Sequence, residues 1–114
     1  MALPDLVREK ANWLLARYCA RRVPVHLGSR LRLQYRFRGN MVTIFERRPA
    51  FRSPGEWTRS AVAQFRFDPV TSLWTLYCRD RNTRWHRYAP AAASLDLREL
   101  LGEVDADPTG IFWG

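Results

Sequence analysis

Arginine is the side chain with the most chemistry to offer in this chain. The stretch RLRLQYRFR, residues 30–38, places Arg30, Arg32, Gln34, Arg36 and Arg38 at alternate positions. In an extended strand a spacing of two puts all of them on one face. A second group lies in LWTLYCRDRNTRWHRYAP, residues 73–90, where Arg79, Arg81, Arg84 and Arg87 stand among aromatic residues and His86. A guanidinium grips phosphate through its planar fork, and each neutralised phosphate releases counterions. Aromatic and guanidinium planes also stack on bases. Arg30, Arg32, Arg36, Arg38, Arg79, Arg81, Arg84, His86 and Arg87 are therefore the candidate nucleic-acid-binding residues, with DNA or RNA as the partner. The same arginines on a merely solvated face would need Glu46, Asp68 or the acidic C-terminal segment beside them.

Other chemistries find less to work with. A metal-independent RNase needs a general acid and base beside the scissile phosphate. His86, Glu46, Tyr77 and Tyr88 with the neighbouring arginines offer those roles, but His26, the other histidine, falls in a different loop. Glu103, Asp105 and Asp107 are spaced by two near a helix end, short of a metal-ligand set. No phosphate-cradling glycine loop and no nucleophile elbow occurs. The expectation is a non-enzymatic protein without catalytic residues, metal or cofactor.

Net charge is +8, and it is unevenly spread. From Arg17 to Arg87 there are 16 arginines against Glu46, Glu56, Asp68 and Asp80, whereas from Ser94 onward Arg98 faces five acids. A basic body with an acidic end draws polyanions to one surface. It can also pair with itself, so a protein–protein interaction module or homodimer is the alternative to nucleic-acid binding. Lys10 is the sole lysine, a bias that a GC-rich genome would also produce.

These residues need elements to hold them. Val7, Ala11, Leu14 and Tyr18 recur with helical spacing, widened by Trp13, Leu15 and Cys19, and predict a helix over about residues 4–21. The period then changes to two. Strands are expected at roughly 30–38, 41–48, 60–67, 72–79 and 84–89, with Gly39-Asn40 as a hairpin turn by composition. In the third, Ala61, Ala63, Phe65 and Phe67 share a face. In the fourth and fifth, Trp74, Leu76 and Trp85 are expected in the core. Ser94 suits the N-cap of a helix over about 95–104, and the aromatic tail should dock on the body. Short connections favour an antiparallel meander of about five strands with both helices on one side: an α+β fold as one domain, residues 1–114. The other side stays open.

A chain of 114 residues can bury one core. No apolar run is long enough to cross a bilayer, and the N-terminus lacks the apolar stretch of a signal peptide, so no membrane partner and a cytoplasmic location are expected. Cys19 and Cys78 have no neighbouring cysteine and should be reduced and buried.

Several blocks together carry a resemblance. The run ERRP (Glu46–Pro49), Trp57, WTLY with Arg79, RWHRY at residues 84–88 and the ending VDADPTGIFWG resemble the bacterial family called domain of unknown function 3024. The likeness runs from the loop after the first helix to the last glycine. It implies a small, stand-alone bacterial protein, and it implies no activity and no site residues.

Overall fold

A computed structural model describes residues 3–23, 31–53 and 55–113. The elements run α1 (Asp5–Arg22), β1 (Arg32–Arg38), β2 (Met41–Pro49), β3 (Trp57–Asp68), β4 (Leu73–Arg79), β5 (Trp85–Arg87) and α2 (Leu97–Ala106). The five strands form one antiparallel sheet in the order β1-β2-β3-β4-β5. This is the α+β meander expected from the short connections. Among the described residues, no helix is long and apolar enough to cross a membrane.

Alternation decides which side of the sheet is dry. Val42 and Ile44 of β2, Ala63, Phe65 and Phe67 of β3, and Trp74, Leu76 and Cys78 of β4 are buried. Both helices cover that side: Leu15 and Tyr18 of α1 and Leu97, Leu100, Leu101 and Val104 of α2 join the same core. At the edge, Leu33, Tyr35 and Phe37 of β1 pack partly buried against it. Tyr35 donates its hydroxyl to Asn12 Oδ1 at 2.7 Å, and Arg8 lies over the Phe37 ring, so α1 is tied to β1 by polar as well as apolar contacts. Trp13 does not join the apolar stripe of α1. It is 58% exposed, with Arg17 stacked on its ring.

The Gly39-Asn40 turn joins β1 and β2, with Gly39 at φ +58°. Asn40 reaches instead to β3, accepting from Phe67 N and donating its amide to Phe67 O. The third strand departs from regular alternation. Ile44 pairs with Ala63, but Phe45 pairs with Ala61, leaving Val62 as an extra residue in β3. This β-bulge reverses the parity of everything before it. Ala61 therefore faces away from Ala63, Phe65 and Phe67, contrary to simple alternation, and carries Arg59 and Trp57 to the open side with it.

The second helix begins later than expected, and its cap is Asp96, not Ser94. Asp96 accepts from Arg98 N through its carboxylate. Ser94 is otherwise engaged: its N–H and C=O bridge Trp74 at 2.9 and 2.8 Å along the edge of β4. Backbone held extended by such a pair cannot also open a helix, so the start moves on. At the other end Asp107 takes a left-handed conformation, φ +43°. Its carboxylate accepts from Phe112 N and Trp113 N at 3.1 and 2.9 Å, while the Trp113 indole donates to Val104 O. Phe112 is thereby buried and the tail is docked.

Candidate nucleic-acid interface

The open side of the sheet collects arginine from every strand. Register places the residues in rows across it. Arg32 of β1 faces Arg47 of β2, which faces Arg59 of β3. Arg36, Thr43, Gln64, Tyr77 and Arg87 make a second row from β1 to β5, and Arg38, Met41, Arg66 and Thr75 a third. Arg79 pairs with Trp85 at the far edge.

The middle of this side is hollow. A concavity of about 600 Å³ is lined by Arg36, Arg38, Arg59, Arg66 and Arg79 together with Met41, Thr43, Phe45, Ala61, Gln64 and Trp85. No acid lines it. The bulge helps to make it, because a bulge bends its strand and tightens the local twist. It also delivers Ala61, whose small side chain leaves space at the floor, and Arg59, which hangs over the rim.

The guanidinium groups are held on aromatic rings. Arg59 lies 4.6 Å from the Phe45 centroid, Arg66 3.8 Å from Tyr77, Arg79 5.9 Å from Trp85 and Arg32 4.6 Å from Trp57. Each such contact is worth roughly 0.5–1 kcal/mol where exposed, and it limits the freedom of the arginine. Arg66 is further fixed by donating to Gln64 Oε1 at 2.8 Å. Among the described residues four ion pairs form, Arg22–Asp105, Arg48–Glu46, His86–Asp80 and Arg98–Asp96, and none uses an arginine that lines the hollow. The acidic second helix packs on the opposite side of the sheet, so it does not cover them. Two like charges about 7 Å apart in water repel by roughly half a kcal/mol. The hollow thus keeps an uncompensated positive field.

The candidates named from the sequence divide into three groups. Arg36, Arg38 and Arg79 line the hollow, with Arg32 and Arg87 beside it in the adjoining rows. Arg81, Arg84 and His86 lie elsewhere, on the turn after β4 and on the helix side of β5. Arg30 lies outside the described residues, as does His26. Trp85, expected in the core, instead lines the hollow, because β5 sets it opposite Arg79. Arg47, Arg59 and Arg66 were missed. Arg66 was legible, since it alternates with buried Phe65 and Phe67, whereas the bulge concealed Arg59.

His86 has a local task. Its Nε2 lies 2.6 Å from Asp80 Oδ2, while Asp80 Oδ1 accepts from Asn82 N and Arg84 N. The Arg84 N–H and then the His86 side chain hold the Asp80 carboxyl below its ordinary value. Together they fasten the turn between β4 and β5. The residues that an RNase would need are scattered. Tyr77 is on the open side, Tyr88 is buried, and Glu46 is paired with Arg48. Three strand spacings, about 14 Å, separate Glu46 on β2 from His86 on β5. Two of the three carboxylates near the C-terminus are also occupied, Asp105 by Arg22 and Asp107 by the tail amides.

Fold and site together define a class: a small antiparallel meander, helices on one side, with an arginine-lined hollow on the other. A family model matches residues 3–114, and the chain belongs to that family, described as domain of unknown function (DUF3024). Comparison with curated proteins and with solved structures gives no match.

Proposed function

We propose that the protein is a non-enzymatic nucleic-acid-binding domain and that the open side of its sheet is the interface. One observation carries this reading: five arginines converge on a hollow free of acids, and Arg59, Arg66 and Arg79 among them have their guanidinium groups set on aromatic rings. Such an array matches a polyphosphate backbone in sign and in the paired hydrogen bonds that each guanidinium can donate. Because three of these arginines are already ordered by stacking, less side-chain entropy is lost on binding.

The test is binding of labelled oligonucleotides at low salt to wild type and to the triple variant Arg36→Gln, Arg38→Gln, Arg79→Gln. Loss of most affinity in the variant, with an unchanged melting temperature, is expected. A protein that binds no oligonucleotide at low salt, yet sediments as a salt-labile dimer, would instead place the basic face against an acidic protein surface.

A further inference from the structure

We infer that the ligand of the hollow is single-stranded nucleic acid, DNA or RNA, with unpaired bases entering it and phosphates held at its rim. This rests on the reading just proposed and narrows it.

Phosphate binding alone would ask only for cations on a surface. The open side has more. Phe45, Tyr77, Trp85 and Trp57 stand among the arginines, each with a guanidinium on its ring. Aromatic rings make no hydrogen bond to a phosphate and serve it only by holding the arginines, whereas rings and guanidinium planes are also what bases stack on. In a duplex the base faces are already covered by their neighbours, so this surface would go unused.

The floor of the hollow is polar and fixed. Gln64 is 7% exposed, the buried polar side chain of the sheet centre. Its Nε2 donates to Thr43 Oγ1 at 3.0 Å and its Oε1 accepts from Arg66 Nε at 2.8 Å. Arginine can only donate, so the amide oxygen must face it and the amide cannot flip. These two bonds leave one N–H and one lone pair of the amide uncommitted. An unpaired base offers a complementary donor and acceptor on its edge, and a paired base has spent them. The volume of about 600 Å³ also falls within the range that holds small ligands, roughly 300–1,000 Å³. It suits one or two nucleotides and not a double helix.

Fluorescence anisotropy tests this with wild-type protein and three ligands at one salt concentration: a strand of about 12 nucleotides, its duplex, and an abasic strand of equal charge. DNA and RNA versions of the strand are both measured, and the tighter sets the comparison. The expected result is that the strand binds about tenfold or more tighter than either the duplex or the abasic strand. Stacking of one base is worth roughly a 5- to 150-fold change. Trp85→Leu and Gln64→Met should each weaken the intact strand by about fivefold or more and weaken the abasic strand by clearly less. Duplex bound as tightly as the strand, or abasic strand bound as tightly as the intact one, overturns the inference while leaving an arginine interface in place. No binding of any ligand overturns both.

Discussion

If the arginines of the hollow meet phosphates, the salt dependence of binding counts them. Five line it, namely Arg36, Arg38, Arg59, Arg66 and Arg79. With one phosphate each, a single strand gives a slope of log affinity against log salt near −3.5, at about −0.7 per phosphate. Raising salt fourfold, from about 50 to 200 mM, then weakens binding by roughly 130-fold. Removing one contact with Arg36→Gln should flatten the slope by about 0.7, so the same fourfold step costs only about 50-fold. Arg98→Gln is the control, because Arg98 lies on α2 and pairs with Asp96. It should change neither slope nor affinity. Anisotropy titrations at three or four salt concentrations give the slopes directly. A wild-type slope shallower than about −1, or one that Arg36→Gln and Arg98→Gln alter equally, would show that the hollow is not where the charge is read.

Three further outcomes follow from the packing. Asp107→Ala removes a carboxylate that accepts from two backbone amides and a residue holding a left-handed helix end, so it should cost about 2–3 kcal/mol in urea denaturation and expose Trp113 to quencher. Burial, and secondarily the Asp105 charge, pushes the Tyr18 hydroxyl up to about 12 from an ordinary 10.0, with the Arg22 guanidinium opposing; no hydrogen bond of good geometry reaches the hydroxyl among the described residues. Because the fold disfavours the ionised phenolate, stability is undiminished by this group below pH 10.0 and falls as pH rises from there through about 12. Tyr18→Phe should therefore be neutral or stabilising at pH 7 and should blunt alkaline unfolding, followed by circular dichroism against pH. Burial likewise raises the Cys19 thiol to about 11, so a thiol reagent should modify it at pH 8 only as fast as the chain unfolds.

How far the sequence led depended on whether a local rule had a competitor. The alternation of Arg32 to Arg38 with Leu33, Tyr35 and Phe37 had none, and it placed β1 and its two faces correctly. The meander followed from short connections in the same way. Ala61 was misplaced because a one-residue bulge at Val62 reverses parity and leaves no mark on composition. Ser94 looked like a cap because its side chain suits one, but its backbone was claimed by Trp74 from a distant part of the chain. Trp85 looked like core because tryptophan usually is. Only the pairing of β5 with β4 shows that it belongs with Arg79. The hollow itself is a tertiary property. Alternation could name Arg36 and Arg38, but not the Arg59 and Arg66 that meet them from another strand.

Among the described residues the first strand has a free edge. It pairs with β2 on one side, and its other edge is the border of the described sheet, where backbone amides and carbonyls invite another chain. Arg32, Arg36 and Arg38 project from that border strand, so two copies aligned edge to edge would bring like charges together. Arginines on a border strand thus also act as gatekeepers against self-association. If the open side binds a polyanion as proposed, neutralising these arginines removes that guard, and colloidal stability then depends on how much polyanion is present, with clustering expected near charge balance.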